Sequence, residues 1–226
     1  MTTMAFRSVD ADLTAENAVL DALTARTLDT CLRSALDAEH RARLAADLSD
    51  VAARGEEALA ALFPGAGRRF GRGPLPGWGG WHLDDAVRTL LLRALPLRGA
   101  ALAAAAEARY REGNAAERRG VLRALPFLTV GALALPLVDD ALRTNDVRLI
   151  TAALGPYAGA LLPQDRWRQA VLKCLFTGVP LSRVAGLAER RDAELARMAT
   201  GFATEREAAG RPIPEDLWSL LPHQAA

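Results

Sequence analysis

Apolar positions recur along the chain at intervals of three and four residues, and no stretch alternates with the period of a strand. In residues 10–63 this helical period is broken by weak signals. Thr14 or Asp12 suits a helix start and Gly55 marks a break, so two to four helices are expected there. Residues 64–81 read PGAGRRFGRGPLPGWGGW, dense in Gly and Pro, and predict a long loop carrying Arg68, Arg69, Arg72, Trp78 and Trp81. A helix follows from near Leu83, where Asp84 and Asp85 suit the positive end of the helix dipole, and runs through TLLLRAL to Pro96. Further helices are expected over about Arg98–Glu112 and Ala115–Leu125, with Pro136 as the first residue of the next. Thr144 or Asn145 can cap a helix bearing Val147, Ile150 and Leu154, which Gly155 and Pro156 end. Another helix starts after Asp165, and the last long one spans about Asp192–Ala209 with Leu195, Met198, Ala199 and Phe202 facing inward. Gly210 and Pro212 stop it, leaving a short segment around Trp218.

The expected class is therefore all-α, built of stacked short helical hairpins in the manner of an irregular α-solenoid or HEAT-like array. At 226 residues a single all-helical domain over 1–226 is expected. Its parts are N-terminal helices at 10–63, the loop at 64–81 and a main array at 82–222. Aromatics are only 5% of the chain, so the interior must be assembled from Leu, Val and Ala at close helix spacing.

Lys173 stands out within WRQAVLKCLF. Trp167, Ala170, Val171, Cys174 and Leu175 follow the i, i+3, i+4, i+7, i+8 pattern of a core face. The opposite side carries Leu172 and Phe176 with Gln169 and Lys173, the last two one turn apart. A helix apolar on both sides is expected to be packed on both sides. A buried ammonium needs a partner, since desolvating an isolated charge costs several kcal/mol. Asp139, Asp140 and Asp146 are the candidates. Three readings stay open for Lys173: a core-edge lysine snorkelling or locked to one carboxylate, a ligand cation in a polar inter-helix cavity with Gln169 beside it, and a Schiff-base lysine. Asp139 and Asp140 precede Arg143 at the spacing of an exposed ion-paired helix. Thr144 and Asn145 read as caps, and Tyr157 as a turn-fixing ring with an available hydroxyl.

Composition sharpens the interest in that lysine. Of the 28 Lys and Arg residues one is a lysine, leaving 27 arginines. A guanidinium can take most cationic positions but cannot replace a compact ammonium or a titratable amine. The net charge of +1 excludes a strongly polyanionic partner, and the three arginines of the loop are too few to argue nucleic-acid binding. His40, His82 and His223 are scattered, so no metal site and no cofactor are expected. Cys31 and Cys174 lie far apart and MTTMAFRSVD has no signal-like apolar segment, which gives a cytoplasmic expectation. The uncharged stretch from Ala124 to Val138 is interrupted by Pro126, Gly131 and Pro136, so no membrane span is expected. No nucleophile elbow or phosphate loop occurs.

From Ala141 onward the strings ALRTND, GPYA, WRQAVLKCLF, GLAERRDAELARM and EREAAGRPIPEDLW together resemble the EboA family of bacterial helical proteins. FPGAGRRFGRGPL and WHLDDAVRTLLLRALP resemble its N-terminal half, and the likeness covers roughly residues 60–220. The resemblance implies an accessory protein that assists secondary-metabolite production or traffic. It also implies a gene setting with a UbiA-type prenyltransferase, a TatD-like hydrolase, a sugar-phosphate cyclase and a sugar-phosphate isomerase. It carries over no catalytic residue. The family's recurrent polar positions fall on Arg143, Asn145, Tyr157, Gln169 and Lys173, which the resemblance makes a candidate ligand-binding set. Gly155, Arg168 and Glu207 depart from the family's expected Asn, Asn and Trp, and the first two alter the polar lining of any pocket. The leading expectation is a non-enzymatic binder of a small polar or prenylated metabolite, with the prenyltransferase or another pathway protein as a partner. The alternatives are an enzyme using Lys173 as acid, base or amine, and a helical scaffold for a pathway protein.

Overall fold

A computed structural model describes residues 24–221, and they form an all-α protein with no strand among them, only an isolated bridge between Pro74 and His82. Backbone contacts divide the chain into two compact units, Met1–Gly131 and Ala132–Ala226. The proposed helix starts at Asp12 and Thr14 lie outside the described residues.

The first unit contains helix α1 (24–35), α2 (Ala38–Arg54), α3 (Glu56–Leu62), α4 (Ala66–Phe70), α5 (Leu83–Ala94), α6 (Gly99–Glu112) and α7 (Ala115–Ala124). Asp37 caps α2 by accepting from the His40 N–H, and Gly55 separates α2 from α3 at φ 63°, a conformation that strains any other residue. The unit is organised around α5, every residue of which from Asp84 to Leu92 is buried, with α2, α4 and α7 packed on it. Burying that whole stretch encloses charge as well as leucine. Arg88, 2% exposed, donates to Asp84 at 2.5 Å and to the Phe63 carbonyl at 3.2 Å. Arg119 of α7 donates to Asp85 at 2.8 Å. Gly120 admits this packing, because a Cβ there would lie 2.7 Å from Arg88 Cδ. Asp84 and Asp85 are thus more than dipole partners; they are the anions of a buried ion-pair network.

The segment 64–81, expected as loop throughout, holds the five-residue helix α4, which Gly71 stops at φ 88°. Arg69 there reaches back to the buried Asp47 at 2.6 Å, so the Gly and Pro signals flank a helix instead of excluding one. The remainder is fixed by backbone bonds from Leu75 N–H to the Trp81 carbonyl and from Leu83 N–H to the Gly73 carbonyl, each 2.9 Å. Trp78 and Trp81 pack edge to face at 5.3 Å and both meet Phe127, while the Arg123 guanidinium lies 5.2 Å from the Trp81 ring centre. These rings are engaged with one another and with Arg123.

The second unit contains α8 (Leu135–Arg143), α9 (Val147–Ala153), α10 (Pro156–Leu161), α11 (Gln164–Thr177), α12 (Leu187–Arg190), α13 (Ala193–Ala208) and a terminal 3₁₀ turn, Glu215–Leu220. The α8–α9 hairpin is closed by Asp146, which caps α9 by accepting from Arg148 N–H at 2.9 Å. Thr144, expected as that cap, instead donates back to the Ala141 carbonyl at 2.8 Å and ends α8. Asn145 lies exposed between them. Pro156 ends α9 as expected, but its fixed φ and missing donor also suit the first turn of the unforeseen helix α10. Asp192 caps α13, which buries Leu195, Ala199 and Phe202 and leaves Met198 half-buried.

Helix α11 buries Trp167, Ala170, Val171, Cys174 and Leu175, the five residues of the predicted core face. Its other side is not packed. Phe176 is 64% exposed, touching only an edge of Phe202 with ring centres 4.5 Å apart, Gln169 is exposed, and Leu172 and Lys173 are half-buried. The expectation of two-sided packing fails because the elements pinned to α11 gather on one side. Arg190 stacks over Trp167 at 4.8 Å, and Arg168 and Gln164 hold Asp192 at 2.6 and 3.0 Å. The open face then becomes the wall of a cleft.

Candidate functional site

The cleft lies within the second unit between α8 and α11 and encloses about 480 Å³. Helix α11 contributes Arg166, Gln169, Ala170 and Lys173, spaced i, i+3, i+4, i+7, which is one continuous stripe of a helix. Helix α8 contributes Asp139, Leu142 and Arg143, spaced i, i+3, i+4. Asp165, in the first turn of α11, completes the lining. Two local features aim these stripes. Pro136 starts α8 and Thr144 ends it, leaving Arg143 in the last turn where the helix dipole favours a cation. At the other helix Gly178, left-handed at φ 73°, closes α11, and Thr177 donates to the Lys173 carbonyl at 2.9 Å.

An ion pair between Arg166 and Asp139 spans the cleft. Asp139 therefore serves Arg166 and not Arg143, and Asp146 is held by the Arg148 guanidinium at 2.6 Å. That hydrogen bond also keeps the Asp146 carboxyl below the ordinary carboxylate range. Among the described residues Lys173 makes no ion pair with Asp139, Asp140 or Asp146, and no side-chain hydrogen bond. Arg143 and Gln169 are likewise unengaged by described residues. Lys173 is not locked to a carboxylate; it stands half-buried at the side of a cleft.

The structure brings Arg143, Gln169 and Lys173 of the expected set together and leaves the other two apart. Tyr157 is 6% exposed on α10 and its hydroxyl accepts from Ala134 N–H at 3.2 Å. Burial pushes its phenol above the ordinary value. Asn145 sits in the α8–α9 turn and does not line the cleft. Sequence reasoning missed Arg166 and Asp165 as lining residues. The signal was present in the spacing of 166, 169, 170 and 173, masked by attention to the apolar residues of the same helix.

Other reactive groups are inert or committed. Cys174 is fully buried in the core face of α11, and burial pushes its thiol up to about 12, so it is no thiolate nucleophile near neutrality. Asp192 is held well below the usual carboxylate range, first by the Arg168 side chain and then by the Leu195 N–H that it caps. Arg190 donates to the carbonyls of Ala158, Gly159 and Leu162 and to Gln164, fixing the α10–α11 corner. Among the described residues no group of His, Cys, Asp and Glu has the arrangement of a metal site, and no helix is long and apolar enough to cross a membrane.

The second unit is thus an all-helical array whose α8–α11 cleft is lined by charged and apolar side chains. A family model described as metabolite traffic protein EboA matches residues 71–222 of the chain, which takes in the whole of the second unit's described helices. The chain belongs to the EboA family. No curated protein and no solved structure matches it.

Proposed function

We propose that this chain is a non-enzymatic accessory protein of metabolite traffic that binds a small polar compound in the α8–α11 cleft, with Lys173, Arg143 and Gln169 as its contacts. The observation that carries the reading is the state of the sole lysine. Lys173 is half-buried beside the cleft and has no counter-ion among the described residues, an arrangement that a bound ligand would complete. The family description supports a metabolite as the occupant. A volume of about 480 Å³ falls within the range of small-molecule sites. The two thiols, neither in a disulfide, fit action in the reducing cytoplasm.

Thermal unfolding of the full chain with the small-molecule fraction of its host's lysate tests this reading. A rise in Tm is expected for the wild type and for Arg68→Ala, a variant of an exposed arginine in the first unit, and is expected to vanish in Lys173→Ala. Equal stabilisation of all three proteins would contradict it, because the ligand would then sit elsewhere.

A further inference from the structure

The cleft is not electrostatically neutral, and the way its charges are committed says what it can hold. Its lining presents three cations, Arg143, Arg166 and Lys173, against two carboxylates, Asp139 and Asp165. Arg166 and Asp139 satisfy each other across the opening. Asp165 lies exposed in the first turn of α11, the helix end that favours a carboxylate, and makes no ion pair or side-chain hydrogen bond with a described residue. Outside that ion pair stand one guanidinium, one ammonium, the Asp165 carboxylate and the amide of Gln169, an excess of one positive charge.

We infer that the cleft takes a small organic anion, its phosphate or carboxylate held between Arg143 and Lys173, an inference that rests on the binding role proposed above. A guanidinium offers paired N–H donors matched to the oxygens of such a group, and an ammonium adds a compact charge with three donors. Gln169, one turn from Lys173, supplies an amide that can donate to the same group or to a polar substituent. Leu142 and Ala170 give the cleft its apolar portion, against which the body of the molecule rests. A cationic ligand would meet two unpaired cations against the single unpaired carboxylate of Asp165, and a neutral ligand would leave the excess positive charge of the cleft uncompensated. Lysine suits this position better than the arginine found at every other Lys or Arg site of the chain, because the compact head leaves room for the anion.

The single lysine makes the test unusually direct. Full-length protein labelled with ¹³C at lysine Cε gives one lysine side-chain signal, that of Lys173. It is titrated at constant ionic strength with inorganic phosphate, pyrophosphate, acetate, glycerol and choline. A saturable shift is expected with phosphate and pyrophosphate, with acetate, or with both kinds, and the pattern names the oxyanion. Glycerol and choline should give none. Arg143→Ala should weaken the response at least tenfold, Arg143→Lys should recover part of it, and Arg68→Ala should leave it unchanged. Arg143 is exposed, so its variants are expected to fold, which their circular dichroism checks. Saturation by glycerol or choline, with none by the anions, would keep the cleft as a binding site and overturn the anion assignment. A linear drift identical in wild type and Arg143→Ala would mean general screening and overturn it as well. No response to any probe, joined with no stabilisation by the lysate fraction, would take down both the assignment and the binding role.

Discussion

Arg190 ends one helix and steadies the next. Its guanidinium takes up carbonyls at the C-terminal end of α10, shares Gln164 at the start of α11, and lies 4.8 Å from the ring centre of the fully buried Trp167. Arg190→Ala would strand several of those acceptors, and at about 1–3 kcal/mol for an unsatisfied buried group the expected loss is roughly 2–4 kcal/mol, read by urea unfolding. A loss under ~0.5 kcal/mol would show that water replaces the guanidinium without cost. Asp192 gives a prediction in pH. Its folded-state carboxyl lies below the ordinary aspartate value of 3.8, held there by Arg168, so its contribution is present above pH 4 and fades as pH falls further. Asp192→Ala should therefore be less stable than wild type at pH 7, with the gap narrowing only below about pH 4. A constant gap down to pH 2 would refute that assignment. Asp192 was legible as the start of the last long helix, but Arg190 could not be picked out from sequence, where it is one of 27 arginines and its partners lie 26 to 32 residues away.

The same contrast between local and distant information holds for whole helices. Those set by local chemistry match the reading closely: α5 begins at Leu83, α6 ends at Glu112 before Gly113, α11 buries its five predicted core residues, and Asp192 caps α13. Elements short enough to be decided by tertiary contacts, α4 and α10, were hidden behind Gly and Pro. Which side of α11 stays open was also illegible, because an apolar Leu172 or Phe176 reads the same whether covered or not. Helix α5 makes the point energetically. Asp84→Ala leaves Arg88 buried without its carboxylate and should cost about 3–5 kcal/mol. A double variant, Asp84→Leu with Arg88→Met, removes both charges and should be markedly less harmful than Asp84→Ala. If chemical denaturation finds the double variant worse than the single by the full cost of a second lost residue, the pair is not coupled as described.

Across the molecule the net charge is only +1, so no strong overall field draws a charged ligand in and recognition must arise within the cleft. Family membership was legible from the combination of strings spread over the chain, since each fixes several residue identities at once. The grouping of the candidate residues was legible in part. Arg143, Gln169 and Lys173 share one cleft, whereas Tyr157 supports a backbone N–H and Asn145 occupies a turn. Family positions alone cannot separate a residue that lines a cavity from one that braces a helix. The account stands most directly on where the metabolite binds, which hydrogen–deuterium exchange of the full chain can locate. With saturating ligand from the host's small-molecule fraction, slowed exchange is predicted in peptides covering residues 135–143 and 164–177 and little change in those covering α2 and α5. Protection confined to the first unit, or none anywhere at saturation, would contradict the account.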